Sequence, residues 1–278
     1  MIVPSHQELA SGLLPAVLEA ARIELRYFRG DFAVQRKADS SPVTVADQEA
    51  EAVILEALGG VAPQVPVIAE EQYSAGIIPV VDGTLFLVDA LDGTRAFVKG
   101  NIDFTINVAL IVERRPIFGI ILLPATGELY ITTGPKTVGH AVIDVRADVK
   151  LADVDFALIQ SREPDPHALV VALSNSHPSR RLEQELAGKP ISERVEAGSS
   201  LKFCRVAEGK ADFYPRLGSI CEWDIAAGHA ILKAAGGEVT QLDGGQLLYG
   251  NHDGKYRTPP FCAWGREELK GMIHFQES

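Results

Sequence analysis

Leu9, Leu13, Val17, Ala20 and Ala21 recur at helical spacing behind Ser5 and Glu8, which are spaced as a capping box. The pattern predicts a first helix over residues 6–28, bent at Pro15. Residues 30–41 are polar and irregular, and Asp39, Ser40, Ser41 and Pro42 read as a turn. Thr44 then caps a second helix with Val53, Ile54, Ala57 and Leu58 on its apolar face and Gly59 and Gly60 as its stop. Short apolar runs at 65–69, 85–88, 105–112, 117–123 and 129–132 predict strands, spaced closely enough for a largely antiparallel or mixed sheet with the helices over one face. Between 135 and 155 the apolar signal weakens, which divides the chain into an α+β part, 1–145, and an α/β part, 146–278. In the second part, strands at 156–160, 168–173, 191–196 and 211–214 alternate with helices at 179–186 and 199–207. A last helix starts near Trp223 with Asp224 as its natural N-cap and ends at Gly236 and Gly237.

Composition narrows the classes of function. The 278 residues are long enough to bury substantial cores, and 46% of them are hydrophobic. Thirty-seven acids against 26 bases leave a net charge of -11, which argues against a nucleic-acid-binding face, since that needs a basic stripe. Cys204, Cys221 and Cys262 have neither zinc-ligand nor disulfide-framework spacing, so a reducing cytoplasm is the expected compartment. No run reaches the length of a membrane span, and the acidic chain gives no physical reason for contact with a membrane surface.

The chemistry concentrates behind the strand at 85–88, which delivers Asp89 and Asp92 at its C-terminal end, just ahead of Gly93. Two like charges about 4 Å apart repel by roughly 4 kcal/mol at a surface-like dielectric. A bound cation removes that cost, whereas an ordinary Asp-Gly turn would explain the same residues without chemistry. The strand at 65–69 runs into Glu70 and Glu71 in the same way. Asp47 suits the dipole of the second helix, and Asp224 suits a cap or a metal site reached from the second half.

Glu70-Glu71, the run Asp89-Ala90-Leu91-Asp92-Gly93-Thr94 and the run Trp223-Asp224-Ile225-Ala226-Ala227-Gly228 together resemble the signature of the lithium-sensitive, magnesium-dependent phosphomonoesterases. That superfamily includes inositol monophosphatases, fructose-1,6-bisphosphatases and 3'(2'),5'-bisphosphate nucleotidases. The segments 41–47 and 198–209 are similar to the bacterial CysQ-type nucleotidases in particular. The resemblance implies a layered α-β-α-β-α sandwich of the α/β class. It also implies two or three Mg2+ ions on Glu70, Asp89, Asp92, Asp224 and the Leu91 carbonyl. Asp47 and Thr94 would orient and deprotonate the attacking water, with Glu71 as a second candidate base, and the Gly93 and Thr94 amides would hold the phosphate. Glu70, Leu91, Asp92 and Asp224 thus also face the substrate, while Ser199, Lys202, Arg216 and His177 would meet the nucleoside and its second phosphate.

The family usually has proline where this chain has Ala90, which loosens the turn without removing a ligand atom. The implied substrate is a small phosphorylated nucleotide, adenosine 3',5'-bisphosphate, with 3'-phosphoadenylyl sulfate as a further candidate. The alternatives are an inositol monophosphatase or broad sugar phosphatase and, from another class, a non-catalytic metal-binding scaffold. The implied location is cytoplasmic, with peripheral contact at the inner membrane left open.

Overall fold

The computed structural model describes residues 3–30, 34–36, 42–175, 179–250 and 254–275. Its first helix, α1 (His6–Tyr27), starts from the expected capping box: the Glu8 amide donates to Ser5 Oγ at 3.2 Å and the Ser5 amide to Glu8 Oε2 at 2.8 Å. The helix continues through Pro15. β1 (Val34–Arg36) pairs antiparallel with β2 (Pro42–Thr44), and the turn expected at 39–41 lies outside the described residues. α2 (Val45–Val61) is capped by Thr44 as expected, but it runs through Gly59 and Gly60. The stop falls at Ala62, which leaves helical geometry because it precedes Pro63.

Seven strands form the main sheet in chain order: β3 (Val67–Ala69), β4 (Leu85–Asp92), β5 (Thr105–Val112), β6 (Arg115–Leu123), β7 (Glu128–Gly134), β8 (Thr137–Val142) and β9 (Ala157–Ile159). Only the β3–β4 pair is parallel, so the sheet is mixed as expected. α3 (Glu70–Ser74) follows β3, and α4 (Thr94–Val98) follows β4. β8 lies where the apolar signal is weak, and β9 pairs with β8 rather than with the strands that follow it. Those are β10 (Leu169–Ser174), β11 (Ile191–Ala197) and β12 (Phe213–Arg216), with α5 (Arg180–Leu186) and α6 (Leu201–Ala207) between them. A short β13 (Ile220–Cys221) leads to α7 (Ala226–Ala234), β14 (Glu238–Gln241), β15 (Arg257–Thr258) and β16 (Phe261–Trp264). The second sheet has the order β11-β10-β12-β16-β14.

Strand alternation builds the layers. Phe86 and Val88 of β4 join Leu13 and Val17 of α1 and Ile54 of α2 in one core. Leu85 and Leu87 face the other way and meet Phe203 of α6, Ile231 of α7 and Val170 of β10. Leu169 and Val171 point beyond the second sheet, to Leu186 of α5 and Leu269. The outcome is the α-β-α-β-α sandwich. Its middle helices sit unusually close to their neighbours. A Cβ on Gly119 of β6 would lie 2.5 Å from the Ala227 carbonyl oxygen, and one on Gly228 would lie 2.5 Å from the Phe203 ring. Both contacts are possible only because neither residue has a side chain, and they fix how closely α7 approaches β6 and α6.

One buried group works against the fold. Glu24 of α1 is fully buried, and neither carboxyl oxygen has a hydrogen-bond partner among the described residues. Burial, reinforced by the charge of Asp47, pushes its pKa well above 4.5. The folded state therefore keeps this proton to higher pH than the unfolded chain, and stability falls as pH rises above 4.5. Replacing the group with a hydrocarbon of similar size, Glu24→Leu, is expected to raise stability at pH 8 by about 1–3 kcal/mol and to flatten that decline. Urea unfolding at pH 5 and pH 8 measures both effects; a variant less stable than wild type at pH 8 would contradict this reading.

Candidate active site

β4 reaches the site through an irregularity that brings two acids to one side. Asp89 pairs with Asn107 and Asp92 with Thr105, so three steps on β4 match two on β5. In a regular strand, residues three apart point to opposite faces. The extra residue reverses that, and both Asp89 and Asp92 line one cleft of about 750 Å3. Ala90, 2% exposed, occupies this bulge, and both aspartates line the cleft with alanine at this position. Gly93 follows with φ +96°, a conformation that a side chain rarely adopts, and a Cβ there would come within 3.1 Å of the Asp103 carbonyl oxygen. α4 begins at the next residue.

Glu70 opens α3, whose first free amides are held by a residue absent from the sequence reading. Glu51 of α2, 3% exposed, accepts the Glu71 amide at 2.7 Å and the Gln72 amide at 2.9 Å. Its spacing of four from Asp47 puts the two acids on one helix face, which is the signal that could have found it. The Trp223 indole donates to Glu70 Oε2 at 3.2 Å. Asp224 is not an N-cap, contrary to expectation: Ile225 holds that position and caps nothing with its side chain. The amides of Ile225 and Ala226 both close on the Glu222 carbonyl, at 3.2 and 3.0 Å. That turn leaves the Asp224 carboxyl to face Asp89 rather than the helix.

Carboxyl oxygens of Glu70, Asp89 and Asp224 lie within 4.8 Å of one another. Asp224 hydrogen-bonds to Asp89, and desolvation, with the charges of Asp92 and Glu70, pushes its pKa well above the usual carboxylate range. Acids sharing protons in this way form a site short of positive charge. Their all-oxygen donors, in a cleft that Leu91 also lines, fit a hard divalent cation. Asp92 stands outside that group of three. Its Oδ2 accepts from the hydroxyls of Ser199 and Ser200, the latter at 3.2 Å, and from Asn107 Nδ2 at 3.4 Å, while desolvation still raises its pKa. Asn107 and Ser200 carried no readable signal in the sequence.

Asp47 and Thr94 meet as expected. Thr94 Oγ1 lies 3.2 Å from Asp47 Oδ1 and 3.2 Å from the Leu91 carbonyl. The other oxygen, Asp47 Oδ2, is occupied by the Thr44 amide and hydroxyl, each at 2.7 Å, so one carboxylate serves both cap and site. Glu71 stands on α3, apart from the residues that line the cleft. Ser199, Lys202 and Arg216 line the same cleft. Lys202 is 4% exposed; its Nζ donates to the carbonyls of Ser199 and Ala197 and sits 5.3 Å above the Tyr214 ring, and burial lowers its pKa to about 8. The Arg216 Nε is buried without a partner among the described residues. His177 lies outside the described residues.

The inositol monophosphatase family model matches residues 5–273. The chain belongs to the inositol monophosphatase family. A 3'(2'),5'-bisphosphate nucleotidase CysQ of Salmonella typhimurium is 39% identical over 214 residues, 77% of this chain and 82% of that protein. The crystal structure of CysQ from Bacteroides thetaiotaomicron, described as a bacterial member of the family, superposes with a TM-score of 0.76 at 32% identity, covering 94% of this chain and 98% of that one. An inositol monophosphatase from Anabaena shares the fold with a TM-score of 0.69 at 22% identity, covering 96% and 94%. No helix among the described residues of this family member is long and apolar enough to cross a membrane.

Removing one acid from the group should have opposite effects on stability and activity. Asp224→Asn is expected to raise the melting temperature without divalent cations, because it relieves the crowding, and to abolish the further rise on adding Mg2+. Phosphatase activity should fall by at least about a hundredfold. Thermal melts with and without Mg2+ check this; an unchanged Mg2+ response would exclude Asp224 as a ligand.

Proposed function

We propose that this family member is a magnesium-dependent 3'(2'),5'-bisphosphate nucleotidase that removes the 3'-phosphate from adenosine 3',5'-bisphosphate to give AMP and phosphate, and acts likewise on 3'-phosphoadenylyl sulfate. The observation that carries the reading is that one cleft is lined both by the acids Glu70, Asp89 and Asp224 and by the cations Lys202 and Arg216. A monophosphate needs only the acids with their ions. A second phosphate, remote from the reacting one, needs cations of its own.

Glu70, Asp89, Asp224 and the Leu91 carbonyl would hold the ions, with Asp92 beside them, and the donor set suits two or three Mg2+. When bound, Mg2+ supplies positive charge against the phosphoryl oxygens and eases ionisation of water. Thr94 and Asp47 orient the attacking water. Asp47 Oδ2 is fixed by Thr44, which leaves Oδ1 to receive a proton by way of the Thr94 hydroxyl. The Gly93 and Thr94 amides hold the phosphate at a turn where the missing side chain permits close approach. Arg216 brings an unsatisfied Nε to the cleft, and Lys202, held by backbone carbonyls, brings a charge with little freedom left to lose.

The test is phosphate release, with and without Mg2+, from adenosine 3',5'-bisphosphate, inositol 1-phosphate and fructose 1,6-bisphosphate. The bisphosphate nucleotide is expected to be preferred by at least about tenfold, a difference of about 1.4 kcal/mol that one or two charge contacts supply. Best turnover of inositol 1-phosphate would refute the nucleotide assignment. Lys202→Ala is expected to impair the nucleotide far more than the monophosphate, and equal losses would remove Lys202 from recognition.

A further inference from the structure

A second cleft, of about 300 Å3, opens at the end of α7 away from Asp224. Arg115, His229 and Lys233 line it, and none of them has a part in the reaction above. His229 is 6% exposed, and its Nδ1 lies 2.9 Å from the hydroxyl of Tyr249. Burial lowers the His229 pKa to about 3, so near neutral pH the ring carries one N–H and one acceptor nitrogen. Tyr249 is completely buried, and Nδ1 is the one acceptor its hydroxyl has among the described residues. A buried O–H donates where it can, so Nδ1 accepts and the ring proton sits on Nε2. No described protein group accepts that N–H, and the ring lines the cleft.

Charge around this donor favours an anion. The Arg115 guanidinium donates to Gln246 Oε1 at 2.8 Å, and neither Arg115 nor Lys233 has a carboxylate partner among the described residues. The two acids on the cleft, Glu238 and Glu267, are both engaged by Lys270, at 2.5 and 3.4 Å. A neutral imidazole N–H sharing a cleft with two cations that have no carboxylate partner among the described residues matches a small, doubly charged acceptor better than a neutral or cationic one. We propose that this cleft binds a compact tetrahedral oxyanion, phosphate or sulfate, free or as an ester, through His229 Nε2–H, Arg115 and Lys233.

Titration of the full chain, labelled with 15N-histidine, with inorganic phosphate, sulfate or AMP at constant ionic strength tests this. At least one is expected to move the His229 Nε2 resonance saturably, and the phosphate and AMP arms distinguish a free anion from an ester. Lys233→Glu is expected to weaken that response by about tenfold or more and to leave phosphatase turnover unchanged. Absence of a His229 shift with all three probes would overturn the proposal. So would a shift of equal affinity in Lys233→Glu, which would assign the response to the catalytic cleft.

Discussion

Mutual repulsion among Glu70, Asp89 and Asp224 is the constraint around which this molecule is built. Their oxygens come within 4.8 Å although the residues lie on three separate elements and up to 154 positions apart in the chain (224 minus 70). Left alone, such a group raises carboxylate pKa values, as at Asp224, which hydrogen-bonds to Asp89. The fold must therefore hold the three acids together against their own electrostatics, and stability elsewhere must offset that cost.

Rigid supports do this from three directions. The bulge in β4 turns Asp89 and Asp92 to the same side. Glu51 fixes the start of α3, and the Trp223 indole fixes the Glu70 carboxylate. The approach of α7 is set by Gly119 against Ala227 and by Gly228 against Phe203, while Ser200 Oγ, 2.5 Å from the Asp224 carbonyl oxygen, ties α6 to the turn that carries Asp224. Each support is a packing or hydrogen-bonding relation between elements rather than a property of one segment. The 3'-phosphate chemistry proposed here uses that rigidity, since a water held by Thr94 and Asp47 must meet a phosphoryl group held at Gly93.

Local pattern carried much of the fold. Short continuous apolar runs marked β4, β5 and β6, and the capping box at Ser5 and the cap at Thr44 marked the starts of α1 and α2. It failed where a neighbour in space decides the outcome. α2 passes Gly59 and Gly60 because Pro63 is the stronger stop. β8 forms from a weakly apolar run because β7 and β9 flank it. At the site, the residue types of the acids and Thr94 were legible, since their chemistry is written in single residues. The release of Asp224 from capping, the bulge, and the tying of Asp92 by Asn107, Ser199 and Ser200 were not, because each needs two segments to meet.

The proposed reaction requires these acids to enclose divalent cations. The most direct measurement is anomalous diffraction from crystals of the protein soaked in Mn2+, a hard cation with the same preference for oxygen ligands. An anomalous peak within coordination distance of Glu70, Asp89 and Asp224 together is expected. A data set at saturating Mn2+ with no peak among those three carboxylates would contradict it.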